Sequence, residues 1–263
     1  MKNLYTYISP EHSLDEYHQK LIEVQLDNSL EYWNKEDIML AFNFPFEYKG
    51  IKSIVIPDLI NSQYPKNPRA IICSKVNVFI YLLENKILNE LAWYHDFDAF
   101  QLAHLVLPLI TKDLGVVCYG FYPQWIFHYW GKMDGELGKD LPLTEQGFPR
   151  RVNFGNIFLK PESLPILKVL LEKMDREGLY EEDAMTLLMD EFKDRVQIMN
   201  QTYNLGIKLL RTNVEIADKP LRVVHFPPAY PKWLNKFRPY LSNNLTKLLD
   251  EKFTRLPVTG KEV

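Results

Sequence analysis

The sequence lacks the features that mark a secreted, disulfide-linked or membrane-embedded protein. Only two cysteines occur among its 263 residues. Cys73 and Cys118 both lie in apolar runs, and they form neither a disulfide framework nor a metal-binding spacing. No segment approaches the roughly 20 apolar residues of a transmembrane helix, and the opening MKNLYTYISPEHSLDEY is too polar for a signal peptide. We therefore expect a soluble, cytoplasmic protein, with peripheral contact to a membrane left open.

Basic runs and nucleotide-binding fingerprints are missing as well. The formal net charge is −3, and without a basic block a nucleic-acid partner has no electrostatic support. The segment GELGKD lacks the first glycine of a phosphate-binding loop, because Met133 stands in its place. There is no GxGxxG, no serine nucleophile elbow and no HExxH. A bound nucleotide would therefore be held by side chains and a metal ion.

Strand-like and helix-like segments alternate along the chain. The first strand is predicted at NLYTYI (3–8), a helix follows at 14–33, and a second helix is expected after AIIC with Ser74 as its N-cap. Such alternation predicts an α/β fold with a mixed, mostly parallel, Rossmann-like central sheet flanked by helices. We divide the chain into one domain, residues 1–235, and a helical C-terminal extension, residues 236–263, packed on it.

The segment LAWYHDFDAFQ (91–101) holds the strongest candidate for chemistry. Read as a strand, it would point Asp96 and Asp98 to one face and His95 to the other, so we interpret His95 as structural. Two carboxylates at the carboxyl end of a strand suit Mg²⁺ or Mn²⁺. The alternative is a polar turn, in which aspartate is simply a favoured residue. A phosphatase with an Asp-x-Asp nucleophile is discounted, since that motif has Thr or Val two residues after its second aspartate and Phe100 stands at this position here.

Three further segments carry polar residues beside apolar ones. LRVVHFPPAYPKW brings His225 off a strand, VNFGNIFLKP places Gly155 between two asparagines, and YEEDAMTLL opens a helix with three acids. Each has a structural alternative: a hydrogen-bonded core histidine, a β-bulge, and acids that stabilise the N-terminal end of a helix dipole.

Along the chain the order is the Asp-x-Asp strand, the Asn-x-Gly strand, the acidic helix start and the strand that ends in His225 and Phe226. In this order the segments resemble those of the GT-A-fold glycosyltransferases, and especially the metal-dependent sugar transferases that use UDP-sugars. The resemblance runs from NLYTYI to about Trp233. It implies that Asp96, Asp98 and His225 hold Mn²⁺ or Mg²⁺ on the diphosphate of a nucleotide-sugar. It also implies further donor-binding residues: Thr6, Tyr7, Lys75, Asn77, Asp96, Asn153, Gly155 and Lys232. Glu182 and Asp183 would hold the acceptor or act as base, with Asp183 our first choice.

The sequence thus predicts a metal-dependent hexosyltransferase-type glycosyltransferase that moves a sugar from a nucleoside-diphosphate sugar, UDP-sugar first, to a glycan or another hydroxyl acceptor. Loop 131–152 and the aromatics Trp125, Trp130 and Trp233 are candidate acceptor surfaces. Two alternatives stay open. One is a non-catalytic nucleotide-sugar or glycan-binding module on the same fold, and the other is a nucleotidyltransferase, which would usually show a basic, glycine-rich loop after the first strand.

Overall fold

An eight-stranded mixed β-sheet forms the centre of the protein in the computed structural model, which describes residues 1–60, 70–105, 110–119, 151–199, 203–206 and 221–253. Its strands are β1 (Lys2–Tyr7), β2 (Ile38–Phe42), β3 (Glu47–Tyr48), β4 (Ile51–Val55), β5 (Ala92–His95), β7 (Leu114–Tyr119), β8 (Arg151–Leu159) and β9 (Val196–Met199). A second, three-stranded sheet contains β6 (Ala99–Gln101), β10 (Leu205–Gly206) and β11 (Val223–His225).

The strand order of the large sheet is β3-β4-β2-β1-β5-β8-β7-β9. Strand β1 runs parallel to β2 and β5, β2 runs parallel to β4, and β7 runs parallel to β9. Strand β8 is antiparallel to both β5 and β7, and β3 is antiparallel to β4. Parallel pairings are therefore the majority, and the predicted mixed, mostly parallel sheet is confirmed.

Six helices within the described residues cover the two faces of the sheet. They are α1 (Glu16–Leu30), α2 (Ala70–Glu84), α3 (Leu164–Glu177), α4 (Glu181–Leu188), α5 (Pro231–Phe237) and α6 (Asn243–Phe253). Helices α2, α3 and α4 share an apolar core with Leu4 and Ala41. Helices α1, α5 and α6 share another with their strand neighbours Tyr5 and Leu40. Because successive side chains of a strand point to opposite faces, each face of the sheet carries apolar residues that helices cover, and the result is a helix–sheet–helix arrangement.

Helix boundaries follow local signals only in part. Helix α1 begins after Asp15, whose Oδ1 accepts a hydrogen bond from the His18 amide at 2.7 Å. Helix α3 ends at Glu177, and the following Gly178 adopts a left-handed φ of 67°, as is common after a helix. The prediction that Ser74 caps α2 is wrong: the helix begins at Ala70, and Ser74 lies buried within it. Tertiary packing here overrides the weak capping preference of one serine.

The C-terminal helix α6 packs against α1. Leu245 and Leu249 belong to the same apolar core as Leu21, and Lys252 Nζ lies 2.6 Å from Glu23 Oε2. The domain boundary that we predict after residue 235 falls within α5, and the division into domain and extension stays a prediction. No helix among the described residues is long and apolar enough to span a bilayer.

The two sheets meet where β5 ends. After His95 the chain makes a turn and enters β6, which pairs antiparallel with β11, so that Ala99 lies opposite His225. The Phe226 amide donates to the Asp98 carbonyl at 3.0 Å. The topology therefore brings the last residue of β11 beside the turn that follows β5, although 129 positions separate Asp96 from His225.

Candidate metal centre

Asp96, Asp98 and His225 form one cluster at the carboxyl end of β5. One ligand atom from each lies within 4.8 Å of the others. His225 Nε2 is 3.0 Å from Asp98 Oδ1 and 3.9 Å from Asp96 Oδ2. Two carboxylates and an imidazole are a donor set that divalent ions such as Mn²⁺ accept. The three residues that the sequence suggests as metal ligands are thus brought together.

A turn, and not strand alternation, makes the two aspartates converge. Strand β5 ends at His95, and the Ala99 amide closes the turn by donating to the Asp96 carbonyl at 3.0 Å. Our alternation argument was therefore wrong for Asp98, which lies outside the strand. His95 points into the interior, where it stacks on Trp93 with ring centroids 3.8 Å apart and hydrogen-bonds Asn3 and the Ala99 carbonyl. Burial lowers the pKa of His95 to about 3, so the ring is neutral.

Lys75 and Tyr94 hold the carboxylate of Asp96. The Tyr94 hydroxyl donates to Asp96 Oδ1 at 2.5 Å, and Lys75 Nζ lies 3.6 Å from the same oxygen. Lys75 Nζ also lies 3.0 Å from Glu181 Oε1, and both of these side chains are buried. Burial alone would lower the pKa of Lys75, but the charges of Asp96 and Glu181 outweigh it and raise that pKa well above its ordinary value. Lys75 is therefore a fixed positive charge behind Asp96.

Asp98 and His225 stabilise each other's charged forms. Burial alone would raise the pKa of the Asp98 carboxyl, but the charge and hydrogen bond of His225 hold it below its ordinary value. Burial alone would lower the pKa of His225, but Asp98 and then Asp96 outweigh it and raise that pKa. The two like charges of the Asp-x-Asp pair are thus each compensated by a different cation.

Gly155 on β8 leaves room for the cluster. Its carbonyl accepts from the Asp96 amide at 2.8 Å. A Cβ added at Gly155 would lie 2.7 Å from His225 Cε1 and would collide with Asp96 Oδ2. No left-handed φ is involved. Glycine is required here by space, because the two side chains pass directly over the strand.

The acids at the start of α4 reach the cluster from another side. Glu181 pairs with Lys75, and Glu182 Oε1 accepts from Asn153 Nδ2 at 2.9 Å. The charge of Glu182 also contributes to the raised pKa of His225. Asp183 is buried beside them, with 7% of its surface exposed, and its role as a base stays a prediction.

A cavity of about 550 Å³ lies next to the cluster. Its lining includes Thr6, Tyr7, Lys75, Tyr94, Asp96 and Asp98. The loop after β1 also contributes Ser9 and Glu11 to the lining, and α1 contributes Tyr17. Asn43 anchors this loop by accepting from the Ser9 amide at 3.0 Å and donating to the Ser9 carbonyl at 2.8 Å. The cavity is large enough for a ligand of nucleotide size.

Two predicted donor-binding residues make other contacts. Asn77 Nδ2 donates to the Leu59 carbonyl at 3.1 Å, which ties α2 to the segment after β4. Lys232 is exposed, and its Nζ lies 5.3 Å from the centre of the Trp233 ring. Trp125, Trp130 and nearly all of loop 131–152 lie outside the described residues.

Sequence reasoning missed three residues of the site. Tyr94 was detectable, because it precedes Asp96 by two residues and so shares its strand face. Glu181 was grouped with the acids of a helix start, and its pairing with Lys75 depends on how α2 and α4 pack. Asn204, whose Oδ1 lies 3.2 Å from His225 Nδ1, follows no recognisable pattern.

By sequence, no protein-family model and no curated protein matches the chain. By structure, it is similar to the galactosyltransferase LgtC in complex with donor and acceptor sugar analogs, with a TM-score of 0.61 and 13% identity over 98% of each chain. It is also similar to GlyE, a glycosyltransferase of Streptococcus pneumoniae, with a TM-score of 0.52 and 16% identity. That match covers 99% of this chain and 66% of GlyE. The match to mouse xyloside xylosyltransferase 1 has a TM-score of 0.50 and 16% identity, and it covers 86% of this chain and 97% of that protein. The fold of this chain is that of the GT-A glycosyltransferases.

Proposed function

We propose that the protein is a metal-dependent glycosyltransferase that moves a sugar from a nucleoside-diphosphate sugar to a hydroxyl acceptor such as a glycan. The observation that carries the proposal is the convergence of Asp96, Asp98 and His225 beside a cavity of about 550 Å³. The fold supports it, since it is shared with proteins that bear this activity. UDP-sugar is our first choice of donor, on the resemblance of the motifs, and the cytoplasm our choice of location.

The donor set favours Mn²⁺ over Mg²⁺. Carboxylates suit both ions, but an imidazole nitrogen favours the transition metal, which binds nitrogen more strongly. The space that Gly155 leaves open holds the imidazole of His225 against Asp96, so the nitrogen belongs to the same site as the carboxylates. When bound, the ion would stabilise negative charge on the leaving diphosphate.

The protein's own residues would orient the reactants. Lys75 fixes the Asp96 carboxylate from behind, and Thr6 and Tyr7 line the cavity in which we place the nucleoside. The exposed Lys232 would add positive charge for the diphosphate. For the acceptor and its proton, the contacts of Glu182 favour it over Asp183, because Glu182 is hydrogen-bonded to Asn153 next to the cluster.

The test is nucleoside diphosphate release from a panel of UDP-, GDP- and dTDP-sugars, with Mn²⁺, Mg²⁺ or a chelator, followed together with thermal shift. We expect release and stabilisation with Mn²⁺ and one donor, and loss of both in Asp98→Asn. Asp250→Asn is a matched control, since it also breaks a carboxylate ion pair, with Arg238 on the surface, and should behave as wild type. Metal-dependent binding of a nucleotide-sugar, with no release of nucleoside diphosphate whichever acceptor is added, would favour a non-catalytic binding module. No metal-dependent effect of any nucleotide would refute the proposal.

A further inference from the structure

Two buried asparagine side chains lie behind His225, on the side away from the carboxylates. Asn153 on β8 is 2% exposed and Asn204, just before β10, is 1% exposed. His225 Nδ1 is 3.2 Å from Asn204 Oδ1, Asn204 Nδ2 donates to Asn153 Oδ1 at 2.6 Å, and Asn153 Nδ2 donates to Glu182 Oε1 at 2.9 Å. A continuous chain of hydrogen bonds therefore joins His225 to Glu182.

The direction of this chain is fixed by a backbone group. The Gly155 amide donates to the Asn153 side chain at 3.0 Å, and a backbone N–H cannot accept, so the Asn153 atom facing it is the oxygen. That oxygen also faces Asn204, which must then present its NH₂ group. The remaining atom of the Asn204 amide is its oxygen, and it faces His225 Nδ1. An oxygen of an amide only accepts, so Nδ1 must carry the proton.

We propose that Asn204 is a positioning residue that keeps the proton of His225 on Nδ1 and thereby directs the Nε2 lone pair to the metal. The inference rests on the proposed metal site. His225 Nε2 is the ring nitrogen that faces Asp98 and Asp96. In neutral imidazole one nitrogen donates and the other coordinates, so the amide pair selects the tautomer that can bind an ion at the cluster.

Asn204 is itself held in place from two directions. Asn156 Nδ2 donates to the carbonyl of Tyr203, the preceding residue. Strand β10 follows at once and pairs with β11, so that Gly206 lies opposite His225. The backbone on both sides of Asn204 is therefore held close to His225. Groups that orient a metal-bound histidine in this way typically change metal affinity by 10–100-fold when they are removed.

The test is titration of the purified full chain with Mn²⁺ alone, followed by calorimetry or by the electron paramagnetic resonance of free Mn²⁺. We expect Asn204→Ala to weaken Mn²⁺ binding by about 10–100-fold. The matched control is Asn43→Ala, which removes another buried amide that hydrogen-bonds the Ser9 backbone. It should lower the melting temperature but leave Mn²⁺ affinity within about twofold of wild type.

A second measurement needs no variant. In the wild-type protein loaded with Mg²⁺, ¹⁵N NMR of labelled histidine should show the His225 proton on Nδ1. A proton on Nε2 alone, with Nδ1 unprotonated, or wild-type Mn²⁺ affinity in Asn204→Ala, would overturn the role of Asn204 and leave the metal site standing. Failure of the wild-type protein to bind Mn²⁺ would instead refute the proposed function.

Discussion

Substituting Gly155 by alanine should disable the metal site while leaving the fold intact. Ordinary contact distances begin at 3.4 Å, and the new Cβ would lie 2.7 Å from His225 Cε1, so the ring must retreat by about 0.7 Å. Asp96 Oδ2 must retreat further. Metal–ligand distances tolerate deviations of only about 0.2 Å, so two of the three ligands would leave the range in which they can bind one ion.

The expected loss of Mn²⁺ affinity is at least 100-fold, or about 2.7 kcal/mol. Asp96 cannot swing aside freely, because Tyr94 and Lys75 hold its other oxygen. Overpacking one methyl group costs about 1–3 kcal/mol of folding free energy, which corresponds to a fall in melting temperature of roughly 2–10 °C. Mn²⁺ titration and a thermal melt of the same sample measure the two effects.

Gly115→Ala is the matched control for this variant. Gly115 also lies in a strand of the large sheet, and an added Cβ would come within 3.1 Å of Phe158 Cβ, in a core without any of the three candidate ligands. We expect it to lose a similar amount of stability and to keep wild-type Mn²⁺ affinity. Wild-type affinity in Gly155→Ala would refute the geometry of the site, and equal loss of affinity in both variants would mean that overpacking acts through the fold.

Two further substitutions test the charges. Lys75→Met should reduce the unfolding free energy by about 3–5 kcal/mol, because it leaves the buried carboxylate of Glu181 without its cation. In urea titrations the double variant Lys75→Met/Glu181→Gln should recover at least half of that loss. No recovery would show that the ion pair is not the cause. Arg238→Gln should cost at most about 1 kcal/mol at pH 7, because its pair with Asp250 is half exposed. Arg238 lowers the pKa of Asp250 below 3.8, so this contribution is present above pH 3.8 and is lost as the pH falls through the lowered pKa. The urea midpoints of Arg238→Gln and wild type should therefore converge as the pH is lowered, and a difference that does not shrink as the pH falls would contradict the assignment.

The sequence predicts the sheet well because burial leaves a strong pattern. Strand β1 alternates Leu4 and Tyr5 between two apolar cores, and this period is visible without coordinates. Boundaries are less predictable. The helix expected over 14–33 ends at Leu30, and the helix expected to begin at Ser74 begins four residues earlier, at Ala70. Such boundaries depend in part on packing between elements distant in sequence, which leaves no local signal.

The candidate ligands could be found because they lie at or just beyond the ends of strands, whereas Asn204 and the pairing of Glu181 could not. Asp96 and His225 end apolar runs, so the end of a sheet was the place to look for them. Asn204 contacts His225, and Glu181 contacts Lys75, only because elements distant in sequence pack together. A polar residue between two strands, or at the start of a helix, reads the same in sequence whether or not its side chain reaches a functional group.

The arrangement of charge explains why two aspartates can stand one residue apart here. If a single cation compensated both aspartates, folding would depend on that cation, since an uncompensated buried charge is costly. Asp96 is instead compensated by Lys75 on α2, and Asp98 by His225 on β11. Their neighbours in sequence, Val76 on α2 and Val224 on β11, belong to different apolar cores. The carboxylates are therefore oriented by the protein itself, and a metal ion would enter a site whose geometry has already been set by folding.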